Sequence, residues 1–141
     1  MTSSRILVVD DEADISTILS VTLRRAGFEV ETAGDGVEAI DQIRRQPPDL
    51  VILDVMMPRA DGYQVAEALR SIHGSETPIL VLTAAGDACD IARRIGAEGY
   101  LAKPFELEQL IALVRQLLNP SRRPVVAGRT DASYIDTAAG N

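Results

Sequence analysis

The chain has 141 residues, 46% hydrophobic and 25% charged, with 21 acids against 14 bases and a net charge of −7. That length makes one domain with a real core, and the composition excludes whole-chain disorder, collagen and coiled coil. A single cysteine, a single histidine and no run of 18 apolar residues exclude a disulfide framework, a multi-histidine metal site and a membrane span. The start, Met1-Thr2-Ser3-Ser4-Arg5, leads straight into an apolar run, unlike a secretory leader, so a cytoplasmic location is expected. An acidic chain without a basic stripe is a poor nucleic-acid binder, and no direct nucleic-acid or membrane binding is expected.

Ile6-Leu7-Val8-Val9 is a continuous, β-branched-rich run, the pattern of a strand buried on both faces. A helical stripe of Ile15, Ile18, Leu19, Thr22, Leu23 and Ala26 follows, stopped by Gly27. Residues 28–33 form a weaker strand, and Val37, Ala39, Ile40 and Ile43 a second stripe that ends before Pro47-Pro48. Leu50-Val51-Ile52-Leu53 repeats the buried-strand pattern, and residues 63–72 make a third helix with Val65, Ala66, Ala68 and Leu69 apolar. Ile79-Leu80-Val81-Leu82 is the next strand, followed by a short helix over 87–95 and a weak strand over Gly99–Ala102. Leu107, Leu110, Ile111, Val114, Leu117 and Leu118 give the cleanest stripe, closed by Asn119-Pro120. Four arginine pairs, at 24–25, 44–45, 93–94 and 122–123, suit helix ends that face a negative dipole terminus. Beyond Pro120 the periodicity dissolves. Residues 1–119 are expected as the domain and 120–141 as a flexible tail or linker.

Five strand–helix alternations call for a parallel sheet covered on both faces by helices. With right-handed crossovers, a flavodoxin-like (βα)5 doubly wound α/β fold with strand order 2-1-3-4-5 is expected.

In such sheets chemistry collects at the carboxyl ends of the strands. Here the apolar runs hand over to Asp10-Asp11, Asp54, Thr83 and Lys103, the only lysine in the chain. Helix capping accounts for one such residue but poorly for four edges at once. In the expected order the strands carrying Asp10-Asp11 and Asp54 are neighbours, so three carboxylates converge and require a cation. Oxygen ligands without histidine or cysteine suit magnesium. With a lysine and a hydroxyl beside them they suit a phosphoryl group, and a carboxylate there is able to carry it as an acyl phosphate. Asp54 is the nucleophile candidate because it ends a central strand alone, which leaves Asp10 and Asp11 for the metal.

These residues resemble the response-regulator receiver domain, the CheY-like phosphoacceptor module of two-component signalling. The matching segments are Ile6-Leu7-Val8-Val9-Asp10-Asp11-Glu12, Leu53-Asp54-Val55-Met56-Met57-Pro58, Asp61-Gly62, Leu82-Thr83-Ala84 and Gly99-Tyr100-Leu101-Ala102-Lys103-Pro104-Phe105. The resemblance runs over about residues 4–119. It implies that Asp10, Asp11, Asp54 and the Met56 backbone carbonyl hold magnesium, with manganese as a substitute. It also implies that Asp54 is phosphorylated by a sensor histidine kinase or phosphotransfer protein, and that Thr83 and Lys103 contact the phosphoryl oxygens. Tyr100 would turn inward when Thr83 moves, the Lys103–Pro104 peptide would be cis, and the face of the fourth helix, fifth strand and fifth helix would control a downstream protein or form a homodimer. Met56 and Ala85, two past Asp54 and two past Thr83, position no water, which implies a long-lived phosphoryl group. In one place the sequence departs from the family: the interval from Thr83 to Lys103 is a residue or two short, which trims the fourth helix or the loop before it.

Other readings compete. Tyr100 serves equally as a strand aromatic, Met56 and Met57 as core filler, Cys89 as a small buried hydrophobe and His73 as a surface residue. A magnesium-dependent aspartyl phosphohydrolase would want a second acid at position 56, and a phosphorylation-silent binding module would lack one of the acids or the lysine.

Overall fold

The computed structural model describes residues 4–54, 61–73, 77–83 and 88–119. The elements alternate as β1 (Arg5–Val9), α1 (Ala13–Arg25), β2 (Glu29–Ala33), α2 (Gly36–Arg45), β3 (Leu50–Asp54), α3 (Asp61–His73), β4 (Ile79–Thr83), α4 (Ala88–Ile95), β5 (Gly99–Ala102) and α5 (Leu107–Leu118). The strands form one parallel sheet in the order β2-β1-β3-β4-β5, as expected.

The continuous apolar runs are explained by a sheet with two covered faces. Every residue of β3 and β4 is buried. Alternate side chains go to opposite sides, as the period of two demands. Ile6, Val8, Leu50, Ile52, Leu80 and Leu82 pack with Leu19, Leu23, Leu110, Val114 and Leu117 of α1 and α5. Leu7, Val9, Val51, Leu53, Ile79 and Val81 pack with Ala39, Ile43, Val65, Leu69, Ile91 and Ile95 of α2, α3 and α4. β2, at the edge, buries only Val30 and Ala33, and its sequence signal is correspondingly weak.

Gly27 ends α1 as its position predicts. Its φ is 104°, its N–H bonds the Arg24 carbonyl at 3.0 Å, and the next N–H, of Phe28, bonds Leu23 at 3.1 Å. That pair of reverse bonds needs a left-handed residue, which glycine adopts without a Cβ clash. Arginine pairs occupy the last turns of α1, α2 and α4.

Three residues of the expected helix stripes are exposed. Ile18 is 50% exposed and Val37 78%, while Ser16 and Ser20 are buried in α1. Leu107, at the first residue of α5, is also exposed. Both α1 and α2 are buried as spaced at Leu19 and Leu23 and at Ala39 and Ile43, and Ser16 and Ser20 share the buried side of α1. α3 is longer at both ends than residues 63–72. Cys89 is half-buried, with Arg93 Nη2 at 3.5 Å from its sulfur. The expectations for Met56, Met57, Ala85, the His73 side chain and residues 120–141 fall outside the described residues. Among the described residues, no helix is long and apolar enough to cross a membrane.

Candidate functional site

Each residue of the site is delivered by a strand end. Asp10 follows Val9 of β1, Asp54 closes β3, Thr83 closes β4, and Lys103 follows Ala102 of β5. Register makes them neighbours: Val9 pairs with Leu53, Asp54 with Leu82, and Thr83 with Ala102. The Lys103 N–H bonds the Thr83 carbonyl at 2.8 Å, which extends that last pairing by one bond. The peptide between Lys103 and Pro104 is cis, as the resemblance implied.

Asp10, Asp11 and Asp54 come together, with one carboxylate oxygen from each within 4.8 Å of the others. Asp10 and Asp54 are buried, Asp11 is exposed, and Thr83 is fully buried. Lys103 reaches over them from β5, its Nζ 3.3 Å from Asp54 Oδ2. Tyr100 lies in β5 opposite Val81 and packs, partly buried, against the cluster beneath α3 and α4. Thr83 is two residues beyond Val81, so strand alternation puts it on the side of the sheet that Tyr100 occupies.

The electrostatics of the cluster are ones that a bound cation would offset. Burial pushes the Asp10 carboxyl up to about 6, and the nearby Asp54 carboxylate adds to the rise. The Glu12 N–H, which donates to Asp10 Oδ1 at 2.9 Å, and the Lys103 ammonium oppose it. The other oxygen, Oδ2, is buried and makes no hydrogen bond. A buried carboxylate oxygen left in this way is costly unless a positive group meets it. Oxygens sharing an octahedral magnesium at roughly 2.1 Å lie about 3–4 Å apart, a spacing compatible with three carboxylate oxygens that lie within 4.8 Å of one another. All three side chains offer hard oxygens, a donor type that suits magnesium. A groove of about 380 Å³ opens beside Asp10 and Asp11, between α1 and the end of β2.

Two contributions went unrecognised in the sequence. The Ala33 carbonyl of β2 accepts the Asp10 N–H at 3.1 Å. The Ser16 hydroxyl donates to the Asp10 carbonyl at 3.3 Å. A main-chain partner leaves no residue signature, and Ser16 reads as one more polar helix position. The only signal for it was the imperfect apolar stripe of α1.

Comparison with known proteins agrees with this geometry. The response regulator receiver domain family matches residues 6–115. The response regulator MprA of Mycobacterium leprae is 43% identical over 134 residues, covering 94% of this chain and 58% of MprA. The chemotaxis protein CheY4 of Vibrio cholerae superposes with a TM-score of 0.75 at 36% identity, covering 82% of this chain and 99% of CheY4. NtrX of Brucella abortus superposes at 0.78 with 31% identity, over 86% of this chain and 28% of NtrX. The chain spans about half the length of the first curated relatives it matches. Its pocket of Asp10, Asp11 and Asp54 fits a phosphoacceptor site. Because the match runs through every strand that supplies this pocket, the chain belongs to the response regulator receiver domain family.

Proposed function

We propose that this chain accepts a phosphoryl group on Asp54 and uses it to switch a protein-binding face. The observation that carries this reading is the convergence of three carboxylates, with Lys103 3.3 Å from the one that ends β3. One Asp54 oxygen bonds phosphorus while the P–N bond of a donor phosphohistidine breaks, its electron pair leaving with the imidazole nitrogen. Asp10, Asp11 and the Met56 carbonyl would hold magnesium, or manganese in its place. Such an ion, when bound, supplies charge neutralisation for the carboxylates and the phosphoryl oxygens. Lys103 and Thr83 would bind those oxygens, so the chain's contribution is chiefly positioning and electrostatics.

The phosphorylated state would draw Thr83 toward the site and Tyr100 inward behind it, remodelling the face of α4, β5 and α5. The donor would be a sensor histidine kinase or phosphotransfer protein in the cytoplasm. The receiver of the signal would be a downstream protein, or a second copy of this chain across that face. Residues 1–119 would form the domain and 120–141 a tail or linker. Hydrolysis of the acyl phosphate would be slow, and loss of the label within seconds in buffered magnesium would contradict that.

Incubation with acetyl phosphate and magnesium, followed by intact mass, tests the proposal. A phosphoryl-sized gain that is lost in Asp54→Asn supports it. No gain favours a silent binding module, and free phosphate released from many monoesters favours a phosphohydrolase.

A further inference from the structure

Asp10, the buried acid that follows β1, is fastened at three points. Its N–H donates to the Ala33 carbonyl at 3.1 Å, its Oδ1 accepts the Glu12 N–H at 2.9 Å, and its own carbonyl accepts the Ser16 hydroxyl at 3.3 Å. The first two bonds are made by main-chain partners and survive almost any substitution there. The third depends on one side chain. Ser16 is only 8% exposed, on the flank of α1 that lines the groove beside Asp10 and Asp11.

A serine inside a helix ordinarily bonds the carbonyl three or four residues back. Ser16 does not. The carbonyl four back, of Glu12, takes the Ser16 N–H at 3.0 Å, while the hydroxyl reaches past it to Asp10, six residues back and outside the helix. The bond therefore joins α1 to the end of β1, at the peptide that carries the buried acid. With the peptide held by Ser16 and Oδ1 held by Glu12, the direction left to Oδ2 is set, and Oδ2 is the oxygen without a hydrogen bond.

We propose that Ser16 is a positioning residue for divalent-cation binding, acting through the main chain of Asp10. This rests on the metal reading given above. The hydroxyl restrains the Asp10 carboxylate before the ion arrives, so less order has to be imposed on binding.

The test uses the full chain and manganese, with free Mn²⁺ counted by electron paramagnetic resonance and thermal melting followed in EDTA. Ser16→Ala is expected to weaken Mn²⁺ binding about threefold to tenfold, the range of one net hydrogen bond. Ser16→Thr, which keeps the hydroxyl beside a roomy groove, is expected to restore it. Ser20→Ala, buried one turn farther along α1, is expected to leave affinity unchanged. Wild-type affinity in Ser16→Ala would overturn the proposal, and so would an equal loss in Ser20→Ala, which would mean general loosening of α1. Should Ser16→Ala fail to fold, the isosteric pair Ser16→Thr and Ser16→Val isolates the hydroxyl, and equal affinities in that pair would also overturn it. Absence of saturable Mn²⁺ binding in the wild-type chain would instead remove the metal reading itself.

Discussion

Lys103 Nζ stands 3.3 Å from Asp54 Oδ2, and it is the only lysine among 141 residues. The ammonium is about a quarter exposed and the carboxylate 4%, so the pair sits at a water boundary where attraction is real but screened. Lys103 therefore does two opposed things. It offsets part of the charge of three clustered acids, and it competes with any cation for them.

Lys103→Met is expected to separate these roles. Removing the positive charge should tighten Mn²⁺ binding about threefold to tenfold. Phosphoryl uptake from acetyl phosphate should fall by at least about tenfold, because a charge-assisted contact to the transferred group is lost. Mn²⁺ titration and intact mass read the two effects on one preparation. Weaker metal binding in the variant would show that Lys103 is not the charge opposing the ion.

The raised pKa of Asp10 makes a second expectation with a definite sign. Its ordinary value is 3.8 and burial moves it to about 6. Below pH 4 the folded and unfolded chains both carry the proton. Between about 4 and 6 the folded chain keeps a proton that the unfolded chain has released, so this group's contribution to stability falls as pH rises. Above 6 both are ionised and the cost is complete. Asp10→Asn should therefore stabilise the metal-free protein at pH 7.5 by on the order of 2 kcal/mol, and hardly at pH 4. Millimolar magnesium should stabilise the wild-type chain at pH 7.5 far more than the variant. Urea denaturation at the two pH values, with EDTA or magnesium, measures all four quantities.

Much of this was legible in the sequence because two strong periodicities carry it. The runs at Ile6–Val9, Leu50–Leu53 and Ile79–Leu82 are apolar at every position since both sides of β1, β3 and β4 are covered, and their first polar successors are the site. What failed was the margin of the stripe in α1 and α2, where Leu19, Leu23, Ala39 and Ile43 are buried as spaced but Ile18 and Val37 are not. Ile18 and Val37 have the right spacing and the wrong azimuth, because a helix stripe fixes a face only to within about one residue and packing decides the rest. Val37→Ser should thus change stability by less than about 0.5 kcal/mol, whereas Ile43→Ser, fully buried in the same helix, should cost several. Denaturant midpoints of the two variants check this directly, and a large loss in Val37→Ser would mean that this face is covered in solution.

Arg70 escaped the sequence altogether, since one basic residue in a helix has no partner until the chain is folded. It donates to the Thr77 carbonyl at 2.7 Å, to the Gly96 carbonyl at 2.8 Å and to Glu98 at 3.3 Å, and Glu98 in turn accepts the Ile79 N–H at 2.9 Å. One guanidinium so ties α3 to the start of β4 and to the turn after α4, at the sheet edge opposite the acids. Arg70→Ala removes the partner of two carbonyls and a carboxylate, and the Arg70 and Glu98 side chains are each about three-quarters sheltered. A loss of about 2 kcal/mol is expected, below the value for a fully buried pair because both side chains keep some water. Glu98→Gln retains an acceptor for Ile79 and should cost about 1 kcal/mol. The double variant should cost less than the sum, since the two residues share one network. Mn²⁺ affinity should stay within twofold of wild type in all three, because no member of the network touches Asp10, Asp11 or Asp54. Urea midpoints and the metal titration together decide whether this clamp serves the fold alone, and a change in affinity would mean that strain at the far edge reaches the carboxyl ends of the strands.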